Sequence, residues 1–187
     1  MRKPVVFLVF LMLFVAPLLL AQAPAAPTVT QAATQALSGV EREFVSLAEA
    51  MPEDKFDYAP TNGEFKGVRN FGQQVTHVAT TSYMIASALL GEKPPVDLGT
   101  GENGPELKTK AEKIKFLKDS FAYLQKAFAT VNKDNIDGQV DNPFGGKNKP
   151  TRLSLIMLAD AHPFDHYGQM VEYARANSIV PPASRGQ

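Results

Sequence analysis

Apolar residues recur at three- and four-residue steps in four separate stretches of the chain, and this spacing constrains the fold more than any other feature. A repeat near 3.6 residues places such side chains on one face of an α-helix. The cleanest example predicts a third helix and consists of Ile114, Leu117, Phe121, Leu124, Phe128 and Val131. No stretch between the four shows the alternation of a half-buried strand, so the sequence predicts an all-α protein.

The other three stretches predict helices of similar kind. The first has an apolar face made of Leu37, Val40, Phe44, Leu47, Ala48 and Met51. The second, expected over about residues 70–90, carries Phe71, Val75, Val78, Ile85 and Leu89. The fourth, expected to run from a Thr151 cap to near Asn177, carries Leu153, Ile156, Met157, Phe164, Tyr167, Val171 and Ala174. Ser38 lies three residues before Glu41, which suggests a capping box at the start of the first helix.

Four amphipathic helices in 187 residues indicate one four-helix bundle. The segments 52–69, 91–105 and 134–150 are rich in glycine and proline, which predicts long ordered loops between the helices. The loops 52–69 and 134–150 are longer than antiparallel neighbours need, so a simple up-down-up-down order of the helices does not follow from the bundle itself.

The first 25 residues resemble a signal peptide. Arg2 and Lys3 precede an uncharged apolar run from Val5 to Leu20, and small residues and prolines follow. This run is shorter than the stretch of about 20 residues that spans a bilayer, so cleavage is favoured over a membrane anchor. We therefore expect an exported protein, periplasmic or secreted, with a signal peptide at 1–25, a flexible spacer at 26–36 and the folded domain at 37–187.

The composition excludes several classes of function and partner. The chain has no cysteine, which rules out disulfides, thiolate metal ligands and a cysteine nucleophile. No cluster of lysine and arginine could neutralise several phosphates, so we expect no nucleic-acid partner. A small-molecule substrate of unknown identity is the expected partner, and the sequence leaves open whether the chain forms a homodimer.

The three histidines of the chain are the strongest candidates for chemistry. His162 and His166 are four residues apart, so on a helix both imidazoles leave the same face and could bind one ion. Surface histidines with no ligand role are an equally good explanation of that pair alone. His77 lies in the second helix, which a bundle can place opposite the fourth. Three nitrogen ligands with a further position left for water or substrate are typical of catalytic zinc sites.

Two features complicate this hypothesis. His77 lies well away from the centre of the apolar face of its helix, so it is either half-exposed at the edge of the bundle or faces a cleft between helices. Pro163 lacks the N–H that would bond to the carbonyl of Ala159, so the fourth helix is expected to kink there or to break and restart.

Three further side chains near the pair are weaker catalytic candidates. Asp160 and Asp165 could accept a proton or orient the histidines, although solvated surface carboxylates are the more common explanation. Tyr167 could polarise a substrate, but it also fits the apolar face and is first expected in the core.

Several stretches together make the chain resemble the DinB-like (DinB/YfiT) superfamily of metal-dependent four-helix-bundle proteins. They are Met51-Pro-Glu-Asp-Lys55, Phe71-Gly72 with Gln74 and His77, Leu89-Leu-Gly-Glu-Lys-Pro94, His162-Pro-Phe-Asp-His166-Tyr-Gly-Gln169 and Asn177-Ser-Ile-Val-Pro181-Pro-Ala-Ser184. The resemblance implies a bundle with unusual helix connections and assigns His77, His162 and His166 as ligands of one divalent metal ion. Zinc, nickel and iron all suit imidazole.

The resemblance also implies metal-dependent transfer or isomerisation with low-molecular-weight thiols. We therefore expect a metalloenzyme outside the cytoplasm, a transferase or hydrolase in which the metal acts as a Lewis acid or activates water or an external thiol. Two alternatives stay open: a non-catalytic exported protein that binds a metal or small ligand, and a structural bundle with vestigial histidines.

Overall fold

The computed structural model describes residues 26–186, and it places four α-helices there. These are α1 (Val29–Ala50), α2 (Phe71–Leu90), α3 (Lys110–Phe128) and α4 (Arg152–Ala176), with short 3-10 turns at Glu53–Lys55 and Pro182–Ser184. The described range contains no strand, only one isolated bridge between Gln139 and Thr151. The prediction of an all-α four-helix architecture is confirmed. None of these helices has the length and apolarity needed to cross a membrane. The expected signal peptide at 1–25 lies outside the described residues.

Polar caps fix where the helices begin. The side chains of Asn70, Thr109 and Thr151 accept hydrogen bonds from backbone N–H groups in the first turns of α2, α3 and α4. Gly91 ends α2 in the left-handed conformation (φ 71°), which glycine adopts without steric cost. The predicted bounds of α2 and the predicted Thr151 cap of α4 are thus confirmed.

The start of α1 was predicted wrongly. Residues expected in a flexible spacer are helical from Val29 onward, because Thr28 and Gln31 form a reciprocal capping box in place of the one suggested for Ser38. The alanines and glutamines that follow show no apolar periodicity, yet they are good helix formers.

The buried face of α4 also differs from the predicted one. Met157 and Phe164 are 63% and 45% exposed, whereas Ile156 and Ala174 are buried as expected. The face that packs inward consists of Leu155, Ile156, Ala159, Pro163, His166, Met170, Tyr173 and Ala174. The apolar residues of α4 occur around most of its circumference, so their spacing alone did not identify which side faces the core.

The contacts between helices define an order around the bundle. Both α1 and α2 pack against α3 and α4, so α1 lies diagonally across from α2. A continuous apolar core fills the centre, in which Phe44 of α1 meets Phe121 of α3 edge to face at 6.4 Å between ring centroids.

The directions of the helices follow from pairs of contacting residues. Gln74 bonds to Gln169 and His77 lies against His162, so α2 and α4 are antiparallel. Glu41 contacts Gln125 and Glu49 contacts Lys118, so α1 and α3 are also antiparallel.

In contrast, α2 and α3 run parallel. A side chain at Gly72 would lie 3.1 Å from Lys113, and Ser87 lies 3.5 Å from Tyr123. The order of directions is therefore up, down, down, up, and the loop 91–109 must return along the whole bundle.

Candidate functional site

The three histidines meet between α2 and α4. The Nε2 atom of His162 lies 3.1 Å from that of His77 and 3.1 Å from that of His166. The candidate ligand atoms of all three lie within 4.8 Å of one another. Among the described residues they form a cluster that could hold a metal ion.

The helix α4 runs unbroken through Pro163, whose side chain is buried. His162 and His166 therefore keep the four-residue helical spacing that places both rings on one face. The predicted alternative of a break at Pro163 is wrong for this helix.

The other ring nitrogens of two histidines have oxygen partners. Nδ1 of His77 donates to the backbone carbonyl of Glu102 at 2.5 Å, and Nδ1 of His166 donates to Oε1 of Gln74 at 2.5 Å. A carbonyl oxygen can only accept, so these bonds place the proton on Nδ1 and leave Nε2 with its lone pair. Both Nε2 atoms then face the centre of the cluster as acceptors.

The bond from His166 continues through a chain of amides to a carboxylate. Nε2 of Gln74 donates to Oε1 of Gln169 at 3.1 Å, and Nε2 of Gln169 donates to Oδ2 of Asp165 at 3.0 Å. Each N–H in this chain donates toward the Asp165 carboxylate. The chain therefore favours the proton on Nδ1 of His166. Asp165 is exposed, and these two amides connect its carboxylate to the cluster by hydrogen bonds.

The surroundings keep the histidines neutral. Burial, followed by the nearby His166, His77 and Arg69, lowers the pKa of His162 to about 3. Burial likewise lowers the pKa of His166 to about 4, with His77 adding to the effect and Asp165 opposing it. The pKa of His77 is lowered too, mainly by burial. At neutral pH the three imidazoles are therefore uncharged, and the Nε2 lone pairs of His77 and His166 carry no proton.

The loop 91–109 covers one side of the cluster. Arg69 holds this loop through Nε to Oδ1 of Asn103 at 2.8 Å and through Nη2 to Oε2 of Glu102 at 3.0 Å. Gly104 (φ 79°) packs so closely on α2 that an added Cβ would lie 2.3 Å from Oγ1 of Thr80. This close approach brings the Glu102 carbonyl within reach of His77.

A cavity of about 930 Å³ opens beside the histidines, between α2, α4 and the loop 91–109. His77 and His162 form part of its wall together with Arg69 and Thr80. The hydroxyl of Thr80 is buried and has no hydrogen-bond partner among the described residues. His77 therefore faces a cleft between helices, which was one of the two expectations for it.

The remaining catalytic candidates lie elsewhere. Asp160 is half-buried and does not line the cavity, and burial raises its pKa to about 6. Tyr167 is half-buried and packs against the core, as first expected; burial and the nearby Glu43 raise its pKa. Neither contacts the histidine cluster in the structure.

Sequence reasoning did not assign roles to Gln74, Arg69 or the Glu102 carbonyl. Gln74 lies three residues before His77 on the same helix, and that spacing is the signal that could have indicated it. The carbonyl of Glu102 belongs to the backbone, which carries no signature of residue type.

Solved structures show the same fold. A DinB-like protein from Bacillus cereus is 14% identical, with a TM-score of 0.64 over 80% of this chain and 93% of its own. A DinB-like protein from Bacillus subtilis is 17% identical, with a TM-score of 0.58 over 80% of this chain and 94% of its own. A conserved protein from Enterococcus faecalis is 17% identical, with a TM-score of 0.61 over 80% of this chain and 97% of its own.

Comparison with curated protein sequences gives no match. The sequence profile of the DinB superfamily, however, matches residues 36–170, which include α2, α3, all three histidines and most of α1 and α4. The resemblance noted in the sequence is thereby confirmed, and the chain belongs to the DinB superfamily.

Proposed function

We propose that this protein binds one divalent metal ion through His77, His162 and His166 and acts as a metalloenzyme on a small molecule outside the cytoplasm. The observation that carries the proposal is the convergence of the three side chains on one point between α2 and α4, where two pairs of Nε2 atoms lie 3.1 Å apart.

The donor set fits such an ion. Nitrogens bound tetrahedrally at 2.0–2.1 Å lie about 3.3 Å from one another, close to the separations found here. The bonds from Nδ1 of His77 and His166 direct unprotonated Nε2 atoms at each other, an arrangement that a cation would stabilise. Zinc, nickel and iron all accept imidazole, so the ligand type does not select among them.

Each part of the site has a role in this proposal. A bound ion would supply a Lewis acid and lower the pKa of water or of an external thiol. The Glu102 carbonyl and the Gln74 amide fix the orientation of two ligand rings. The cavity beside His77 and His162 leaves room for a substrate on the open side of the cluster.

The metal content of the purified protein tests the first part. We expect one metal ion per chain in the wild type and almost none in His166→Ala, because two remaining imidazoles bind weakly. Phe164→Ala is the matched control, since it shortens an exposed side chain on the same helix and should keep the full content. Equal metal content in His166→Ala and wild type would overturn the proposal.

Catalysis and export are tested separately. The metal-loaded protein should hydrolyse model esters or amides, or conjugate electrophiles with low-molecular-weight thiols; inactivity in all of these assays would favour the non-catalytic binding protein. Export is supported by the charge and hydropathy pattern of residues 1–25. Cell fractionation should find a shortened product outside the cytoplasm, and a full-length cytoplasmic product would contradict export.

A further inference from the structure

The cavity beside the histidines adjoins a second cavity of about 750 Å³. Met84 of α2 and Leu98 of the loop 91–109 line both of them. The two cavities are therefore neighbouring parts of one cleft, and Met84 and Leu98 form the neck between them.

The cleft follows α2 and α4 away from the histidines. Ala88 on α2 and Arg152 at the start of α4 line its far part. The two helices are antiparallel. The stretch of α2 from His77 to Ala88 therefore runs in the same direction as the stretch of α4 from His162 back to Arg152. At 1.5 Å per residue, either stretch spans about 15 Å.

Four apolar side chains line one part of the cleft near the histidines: Met84, Leu98, Phe144 and Leu158. Phe144 and Leu158 border it and are 50% and 36% exposed, although large apolar side chains are usually covered. Together with Met84 and Leu98 of the neck, they offer a surface on which an apolar chain could pack.

The far part of the cleft carries an uncompensated positive charge. Lys149 is paired with Asp141 at 2.9 Å, and Glu92 is paired with Lys126 at 3.5 Å. Arg152 and Lys93 also line the cleft, and no carboxylate of the described residues forms an ion pair with either of them.

The guanidinium of Arg152 lies beside Gly138, where an added Cβ would be 2.7 Å from its Nη1 atom. A guanidinium at the wall of a cleft is well suited to bind a carboxylate through paired N–H donors.

We propose that the cleft binds a long-chain carboxylate. Its anionic head pairs with Arg152, its apolar chain of about 15 Å passes Met84 and Leu98, and its far end reaches the histidines. This gives the substrate class of the proposed metalloenzyme and rests on that function only for the reaction, since binding of the chain and head requires no metal.

Binding of dodecanoate to metal-free protein tests the proposal by calorimetry at low salt. We expect dodecanoate to bind about tenfold more tightly than the uncharged dodecanol, because a charge-assisted hydrogen bond forms with Arg152. Arg152→Gln should abolish this difference. Lys147→Gln is the matched control, because it removes a charge from the same loop region outside the cleft and should leave the difference intact.

A second pair of variants tests the neck. Met84→Trp and Leu98→Trp should weaken dodecanoate binding at least tenfold while hexanoate, which is too short to pass the neck, keeps its affinity for the Arg152 end. Circular dichroism and thermal melting establish that each variant is folded.

Three results would overturn the proposal: no binding of dodecanoate, equal binding of dodecanol, or an advantage of dodecanoate that survives Arg152→Gln. Because the measurement uses metal-free protein, it is independent of metal content. Failure of the proposed metal site would leave the dodecanoate result unchanged, so the two failures can be told apart.

Discussion

Asp160 shows how one buried charge can lower the stability of the fold. Its Oδ1 atom is buried and has no hydrogen-bond partner among the described residues. Burial raises the pKa of this carboxyl from 3.8 to about 6. The folded state therefore binds more protons than the unfolded state between these values, and its stability falls as the pH rises through that range.

We expect Asp160→Asn to stabilise the protein above pH 6. Removal of the desolvated charge should raise the free energy of unfolding by about 1 kcal/mol, or the melting temperature by about 2–4 °C, at pH 7.5. Thermal melting at pH 7.5 and pH 3.5 checks this. At the lower pH the carboxyl is protonated, so the variant and the wild type should have the same melting temperature. A stabilisation of the same size at both pH values would contradict the explanation.

At the scale of single residues, the sequence identified the histidines better than their partners. The spacing of His162 and His166 predicted a shared face, and that prediction is confirmed by the 3.1 Å between their Nε2 atoms. The partner of His77 could not be predicted, since it is the main-chain carbonyl of Glu102, 25 residues away.

At the scale of structural elements, the loop 91–109 acts as one wall of the site. Its return along the bundle brings Glu102 to His77, and the close packing of Gly104 on α2 allows this approach. A residue with a Cβ at position 104 would be strained by its positive φ and would collide with Thr80.

Gly104→Ala should therefore lower metal affinity without removing a ligand. The displaced loop would loosen the bond between the Glu102 carbonyl and His77, and loss of such a supporting bond typically weakens metal binding about 10–100-fold. Competition with a chromogenic chelator measures the affinity. Gly101→Ala is the matched control, because a Cβ there meets nothing within 4 Å. Equal affinities for the two variants would refute this role of Gly104.

Element boundaries were predictable where local signals and tertiary packing agree. For α2, the Asn70 cap and Gly91 mark both ends, and the structure places them there. For α1, the apolar face begins at Leu37, but the helix extends back to Val29 because the Thr28 cap and helix propensity suffice without burial. The inner face of α4 required knowledge of its neighbours.

At the scale of the whole molecule, an ion bound to His77 and His166 would link two helices that are distant in sequence. Zinc at 100 times its dissociation constant should stabilise the folded state by about 2.7 kcal/mol, which raises the melting temperature by about 5–10 °C. Differential scanning calorimetry with and without zinc measures this shift. His166→Ala should show no shift, and neither should wild type with magnesium, which prefers oxygen ligands.

The order of the helices in space could not be predicted from their periodicity. Each amphipathic face requires a partner but does not specify which one. The loops 52–69 and 134–150 signalled that neighbours in sequence need not be antiparallel neighbours in space. The parallel pair in the structure is α2 and α3, which the loop 91–109 connects.

The parallel course of α2 and α3 has a consequence for how the protein is made. His77 lies 85 residues before His162, and α4 is the last of the four α-helices in the described residues. A nascent chain that still lacks α4 can form the pairing of α2 with α3, but it has no complete histidine cluster. Capture of a metal ion would therefore report that α4 has been synthesised and has docked against α2.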